Sequence, residues 1–277
     1  MVISELRRGL FEKLEKNGVA DARFDADALI MHVLGLSRTD LALRFDQKVD
    51  ADKINELEAL ALRRISGEPL QYIVGKWEFY GLPFYVGEGV LIPRADTEVL
   101  VDNALEFLAN EPECTVVDLC SGSGCIAVSV AKNAKNAKVS AVELYEPAYS
   151  YLNRNVKLNN AAVKVIKADL FDTPDFDGID LLLTNPPYIE TDTINGLSRE
   201  VKREPKTALD GGDDGLDYYR AIAEKWLPVT RKCVMAEIGE TQAADVTALF
   251  EQKGFACVTV KDLSGNDRVI IGTKNSI

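Results

Sequence analysis

The chain has 277 residues, of which 47% are hydrophobic and 27% charged, and it carries a net charge of −12. That length exceeds ordinary single-domain size, so one catalytic domain plus a smaller companion is expected, and the composition excludes a disordered chain. The acidity lies mostly beyond residue 75, with 21 basic against 31 acidic residues there and 11 against 13 before it, which disfavours naked DNA or RNA as a partner because phosphate binding draws on a basic surface.

At the N-terminus, the first twenty residues carry Glu5, Arg7, Arg8, Glu12 and Lys13, and the apolar runs that follow are strand-length. Neither a signal peptide nor a membrane span fits, so a cytoplasmic location is expected. Apolar periodicity predicts short amphipathic helices at about 3–16, 24–35, 38–44 and 51–66, with Ser37 and Asp50 as N-caps. His32, the single histidine, falls in an apolar helical pattern with Ala28, Leu29, Met31 and Leu34 and reads as structural. Residues 1–75 are thus expected to form a small all-helical domain. Alternation of Trp77, Phe79, Phe84 and Val86 about Tyr80-Gly81-Leu82-Pro83 predicts a β-hairpin, which links the domains over 76–94.

The remainder, 95–277, opens with a helix near 96–109. Apolar strand-like runs at 115–119, 138–143, 163–167, 179–184 and 232–237 then alternate with helical ones, the pattern of a parallel sheet covered on both faces, and so of an α/β fold. Runs at 256–262 and 268–272 are separated only by a turn holding Gly265 and Asn266, too short for a parallel crossover, so the sheet is expected to end in an antiparallel hairpin. The five cysteines (Cys114, Cys120, Cys125, Cys233, Cys257) contain no CxxC pair and read as free thiols. With one histidine, a zinc site or a Ser-His-Asp arrangement lacks its parts, and no metal is expected.

Two motifs carry chemistry. The first, Val117-Asp118-Leu119-Cys120-Ser121-Gly122-Ser123-Gly124-Cys125-Ile126-Ala127, passes from a strand through small residues into a helix, so a ligand can approach its backbone. Gly122, Gly124 and Ala127 satisfy the dinucleotide fingerprint, and Glu143, 21 residues after Gly122 at the next strand end, is placed to accept from ribose hydroxyls. A carboxylate at the strand end repels a pyrophosphate and favours a cationic sulfonium, which points to S-adenosylmethionine over a nicotinamide dinucleotide. Asp118 therefore has two readings, the attraction of a cationic ligand or the capping of loop amides.

The second motif is Asn185-Pro186-Pro187-Tyr188, directly after the strand at 179–184 and so in the same crevice as the glycine loop. Asn185 offers a side-chain carbonyl and Pro186 a fixed backbone carbonyl, which together can accept both hydrogens of a planar –NH₂. Tyr188 supplies a ring against a flat group. An amide nitrogen is a weak nucleophile, so alignment and stabilisation of developing charge must do most of the work. Asn185, Pro186 and Tyr188 are the candidate catalytic residues.

With these motifs the chain resembles the peptide chain release factor glutamine methyltransferases of the PrmC/HemK type over essentially its whole length. The likeness is carried by Gly67-Glu68-Pro69-Leu70-Gln71-Tyr72-Ile73, Leu91-Ile92-Pro93-Arg94, Asp96-Thr97-Glu98, the Asp118 loop, Asn185-Pro186-Pro187-Tyr188, Ala208-Leu209-Asp210-Gly211-Gly212 and Asp267-Arg268-Val269. The resemblance implies a seven-stranded Rossmann-like methyltransferase sheet and an N-terminal helical domain that helps to receive the release factor. It implies transfer of a methyl group from S-adenosylmethionine to the glutamine of the Gly-Gly-Gln motif of class 1 release factors, leaving S-adenosylhomocysteine. Carried over by position, Cys120, Ser121, Gly122, Ser123, Gly124, Glu143, Leu170 and Asn185 contact the cofactor, while Asn185, Pro186, Pro187 and Tyr188 hold the acceptor glutamine.

The chain departs from the family at Cys120, where a glycine is frequent, at Ala95, where a proline is common, and at Leu170, where some relatives carry a larger aromatic. Arg94 either orients Asp96 or approaches the acceptor protein. Asp169 either accepts from the adenine amino group or caps its own loop. Glu68 and Gln71 either anchor the domains or touch substrate. A monomer is expected. The rival activity is adenine-N6 methylation of DNA or RNA, since adenine presents a similar –NH₂ and such enzymes share the tetrapeptide. A silent binding module and a nicotinamide oxidoreductase are the remaining alternatives.

Overall fold

The computed structural model describes residues 1–172 and 175–274. The chain divides into two compact units, Met1–Lys76 with Ser198–Arg203, and Trp77–Leu197 with Glu204–Ile277.

In the first unit, α1 (Ile3–Lys16) turns Ile3, Leu6, Leu10 and Leu14 inward, a stripe at helical spacing. It packs on α2 (Ala22–Leu34) and α4 (Ala51–Ile65). The short α3 (Arg38–Leu43) starts at Ser37, whose Oγ accepts the Asp40 amide while the Asp40 carboxylate accepts the Ser37 amide, a reciprocal cap. Asp50 precedes α4 without a side-chain capping bond. His32 lies on the exposed face of α2, outside the apolar stripe that its sequence neighbours suggested. A further helix, α5 (Leu70–Val74), has five residues, too few for apolar periodicity to register. Arg64 is buried and donates to Asp25 at 2.6 Å and to Glu200 at 3.0 Å, which ties the 198–203 segment to this unit. Glu68 pairs locally with Arg63.

The hairpin of β1 (Lys76–Phe79) and β2 (Leu82–Tyr85) turns through Tyr80 and Gly81, both at positive φ (53° and 69°), the two-residue turn that suits the twist of paired strands. After α6 (Glu98–Ala109) the main sheet begins with β3 (Cys114–Leu119), followed by α7 (Cys125–Asn133), β4 (Ala137–Glu143), α8 (Glu146–Leu158), β5 (Val163–Lys167) and β6 (Ile179–Thr184). A loop region leads to α9 (Asp217–Ala221), β7 (Thr230–Glu237), α10 (Ala243–Glu251), β8 (Phe255–Lys261) and β9 (Asp267–Lys274).

The strands form one seven-stranded sheet in the order β5-β4-β3-β6-β7-β9-β8, parallel from β5 to β7. β8 and β9 pair antiparallel, as the short turn required, and β9 rather than β8 lies against β7. Alternate residues serve opposite faces. Val116, Leu181, Leu183 and Met235 pack with Leu100, Ala104, Ile126 and Val130, while Val117, Leu182, Val234 and Ala236 pack with Tyr219, Trp226, Val246 and Phe250. Both faces are thus covered, as the unbroken apolar runs predicted. No helix among the described residues is long and apolar enough to cross a membrane.

Candidate active site

β3 and β6 are neighbours from which the chain departs to opposite sides of the sheet, the switch point where open α/β sheets place ligands beyond the strand ends. Leu119 pairs with Thr184, whose hydroxyl donates to the Leu119 carbonyl at 3.1 Å. Cys120 and Asn185 therefore begin two loops from adjacent positions, roughly 5 Å apart in a parallel ladder.

The glycine loop is held by its own backbone and by three side chains, those of Ser121, Glu143 and Asn155. Gly124 donates to the Ser121 carbonyl at 2.7 Å, the Ser121 amide to the Val142 carbonyl at 3.1 Å, and the Ser121 hydroxyl to the Asp118 carbonyl at 2.8 Å. Glu143 Oε2 accepts the Gly122 amide at 2.8 Å and Oε1 the Tyr145 amide at 2.9 Å. Asn155 of α8, fully buried, donates to the Ser123 carbonyl at 2.9 Å and also bonds Tyr85 of the hairpin. Gly122 and Gly124 have φ of 53° and 81°, and a Cβ on Gly124 would stand 2.4 Å from Leu152. Cys120 shares this left-handed backbone at φ 53°, a conformation that favours glycine.

A cleft enclosing about 1000 Å³, part of it open to solvent, lies over these strand ends. Its wall includes Cys120, Ser121, Gly122, Ser123, Glu143, Asp169, Leu170, Asn185, Pro187 and Arg94. Gly124, Asp118, Pro186 and Tyr188 do not line it. Gly124 sits behind the loop as the cap of α7. The Asp118 carboxyl is fully buried beneath the loop with neither oxygen hydrogen-bonded, and burial, reinforced by nearby Glu143, pushes it up to about 8 against the smaller pull of Ser121 and the Ala127 amide. Glu143 is likewise raised by burial, opposed by the amides it accepts.

Asn185 Nδ2 donates to Thr97 Oγ1 at 3.2 Å, which turns its Oδ1 away from Thr97 as a free acceptor. Behind it, the Tyr188 carbonyl accepts from Gln242 at 3.0 Å, and Ile189 exchanges backbone bonds with Leu209 and Gly211. A Cβ on Gly211 would come 2.8 Å from Tyr188 Cα and one on Gly215 2.4 Å from its carbonyl, so glycine at both positions lets this loop press against the tetrapeptide. Arg94 pairs with the buried carboxylate of Glu204 rather than with Asp96, whose nearest basic partner is Arg268 at 3.9 Å. Glu204 also accepts the Ile92 amide at 2.9 Å and so holds the 90–94 wall. Asp169 accepts the Phe171 amide at 2.9 Å, a loop cap made by a residue that also lines the cleft.

The cleft wall carries two acids, Glu143 and Asp169, and one basic residue, Arg94, which is already paired. That balance suits a cationic ligand and not a pyrophosphate. Thr97, Glu204, Phe171, Tyr218 and Glu237 were not read as site residues from the sequence. Glu237 ends β7 and the strand-end rule that located Asn185 applies equally to it. Phe171 and Tyr218 meet edge-on at 5.1 Å as an aromatic wall beside Leu170, whose carbonyl Trp226 fixes at 2.8 Å.

Residues 5–75 match the family described as PrmC N-terminal domain, and residues 96–212 match the Methyltransferase small domain. The chain is 40% identical over 271 residues to the release factor glutamine methyltransferase of Fusobacterium nucleatum subsp. nucleatum, covering 95% of this chain and 76% of that one. It is 40% identical over 264 residues to that of Geobacter sulfurreducens, covering 94% and 92%. Among solved structures, the hMettl16 catalytic domain in complex with MAT2A 3′UTR hairpin 6 superposes with a TM-score of 0.57 at 15% identity, over 82% of this chain and 83% of that one. A methyltransferase from Pyrococcus furiosus gives 0.52 at 17% identity, over 80% and 100%. At such identities these two structures establish the fold alone.

Proposed function

The chain belongs to the release factor glutamine methyltransferase family, and from that premise we propose that it methylates the side-chain amide nitrogen of the glutamine in the Gly-Gly-Gln motif of class 1 release factors. When bound, S-adenosylmethionine supplies an electrophilic methyl group on a cationic sulfonium and departs as neutral S-adenosylhomocysteine.

The observation that carries this reading is the free Oδ1 of Asn185, one residue past the register partner of the glycine loop. Asn185 Oδ1 and the Pro186 carbonyl accept the two hydrogens of the glutamine –NH₂ and direct its nitrogen toward the loop, with Pro187 and Tyr188 flanking it. Cys120 to Ser123 and Asn185 border the methionine end of the cofactor, with Gly124 behind them as the cap of α7, Glu143 accepts from its ribose, and Asp169, Leu170 and the Phe171–Tyr218 pair surround its base. Asp118 acts from below by filling the space beneath the loop, its carboxyl kept largely protonated by burial, which raises it to about 8. The attacking nitrogen forms its bond to carbon as the carbon–sulfur bond breaks, and the spare amide proton passes to solvent. The leaving group is neutral, so no general acid is needed. Alignment and charge stabilisation supply the rate.

Arg94, more than a third exposed at the cleft rim, meets the acceptor protein, and the helical domain of residues 1–75 helps to receive it. The 76–94 hairpin links that domain to the methyltransferase domain of 95–277. The enzyme works as a cytoplasmic monomer without metal or stable nucleic-acid binding. Mass spectrometry of a release factor incubated with the enzyme and S-adenosylmethionine tests the reading. A single methyl mass on the Gly-Gly-Gln peptide is expected. An unmodified peptide, with label passing instead to adenine in DNA or RNA, would replace it with the nucleic-acid activity.

A further inference from the structure

We propose that Gln242 is a positioning residue for methyl transfer: its side-chain amide clasps the main chain of Tyr188 and thereby fixes where the acceptor tetrapeptide stands. The inference rests on the reading of Asn185 to Tyr188 as the holder of the acceptor –NH₂.

Gln242 immediately precedes α10 and is buried. Its Oε1 accepts the Gly239 amide at 3.0 Å, while Nε2 donates to the Tyr188 carbonyl at 3.0 Å and to the Gly215 carbonyl at 3.2 Å. These partners are all main-chain groups, and each can play only one part, an amide giving a proton and a carbonyl receiving one. The side chain therefore has a single orientation, and both of its amide hydrogens are used. Its own backbone amide donates to the Gly239 carbonyl at 3.0 Å, so the clasp is itself held by the turn that follows β7. None of its side-chain bonds reaches the glycine loop or Glu143. Gln242 is thus placed to act on the acceptor half of the site and not on the cofactor half.

The tetrapeptide needs such a clasp because of its prolines. Pro186 and Pro187 have no N–H, so neither can tie its own main chain down by donating. Their locked φ angles also leave few torsions between Asn185 and Tyr188 to absorb a displacement. Movement at the Tyr188 carbonyl therefore passes back along the run to the Pro186 carbonyl and to Asn185. Downstream, the Ile189 amide donates to the Leu209 carbonyl at 2.9 Å and the Gly211 amide to the Ile189 carbonyl at 2.8 Å. Gln242 joins the tetrapeptide to that same loop, because the Gly215 it holds packs on the Tyr188 carbonyl, 2.4 Å from where a Cβ would stand.

The test compares Gln242→Met and Gln242→Glu in the full chain, with release factor as substrate. Methionine keeps the length and removes both donors, while glutamate has one proton to give at most and none when ionised. Expected is a fall in kcat of about tenfold for Gln242→Met, one ordinary hydrogen bond. Gln242→Glu should lose at least as much, up to about 100-fold, the scale of a misplacement near 1 Å. KM for release factor should change little, as for an interaction realised in the transition state. Calorimetry with S-adenosylmethionine counts folded molecules, and both its stoichiometry and its Kd should stay those of the parent. Placed on Asn185→Ala, Gln242→Met should cost less than about threefold, since residues that act as a unit do not add. A further readout needs no substrate. In hydrogen exchange of the free enzyme, the Ile189 and Gly211 amides should open faster in both variants, while the Gly122 amide on Glu143 keeps its parental rate. A Gln242→Met enzyme with parental kcat, unchanged exchange at Ile189, or losses that simply multiply would overturn the proposal. So would a drop in bound cofactor that matches the drop in kcat, because Gln242 would then hold the fold as a whole. A parent enzyme that leaves release factor unmethylated, with the exchange differences as described, would fault the functional reading and spare the clasp.

Discussion

Glu143 accepts the amide of Gly122 at 2.8 Å, so the carboxylate that ends β4 also sets the shape of the glycine loop after β3. Each carboxylate oxygen keeps a second lone pair, so the same group can bind ribose while holding the loop. Glu143→Gln replaces one acceptor by a donor. Its Kd for S-adenosylmethionine should rise roughly 10-fold to 100-fold, the worth of a hydrogen bond to a charged group, and the Gly122 amide should exchange faster with solvent. Unchanged affinity in calorimetry would remove Glu143 from the cofactor site.

Asn185→Ala deletes the acceptor oxygen and leaves the glycine loop intact. In single-turnover assays the methyl-transfer rate should drop by about 100-fold or more, with cofactor binding still measurable by calorimetry. Retention of parental activity would contradict the role assigned to the tetrapeptide.

Cys120 adopts φ 53° where glycine is at ease. Relieving that strain is worth about 1–2 kcal/mol, offset in part by the greater freedom of glycine in the unfolded chain. Cys120→Gly should therefore unfold at an equal or higher urea midpoint. A β-branched residue fits this backbone poorly, and Cys120→Val should lose about 1–3 kcal/mol. The reverse order of midpoints would show that the thiol's contacts outweigh the backbone.

The buried Asp118 carboxyl is raised to about 8, chiefly by desolvation. In the unfolded chain it gives up its proton near pH 4. A raised folded value means that its contribution to stability is fully present below about pH 4 and is lost as pH climbs toward 8. Asp118→Asn lacks this loss. Without cofactor, the variant should melt above the parent at pH 8.5, and the two should converge near pH 4. Glu143 and Glu237, also raised by burial, leave a residual slope of the same sign in both proteins. Parallel melting curves across this range would mean that Asp118 is not neutral in the folded state.

Much of the architecture is legible in the sequence. The unbroken apolar runs of Ile179–Thr184 and its neighbours specify strands covered on both faces, and the two-residue turn at Tyr80-Gly81 and the short 262–266 connection specify hairpins. The glycine loop and the Asn-Pro-Pro-Tyr run were visible as local chemistry at strand ends. His32 was misplaced because its neighbours are apolar, whereas its own position on α2 points outward.

What local pattern determines is which residues turn inward and where the backbone must bend, since both are written within a few residues of each other. Partner choice over long separations is not written there. Arg94 finds Glu204 110 residues away rather than Asp96 beside it, and Asn185 meets Thr97 across 88 residues. β9 inserts next to β7, and Ser198–Arg203 joins the helical unit through Arg64. These pairings, and with them the outward carbonyl of Asn185, arise only when the sheet's register brings distant strand ends together and burial forces every polar group there to select one partner.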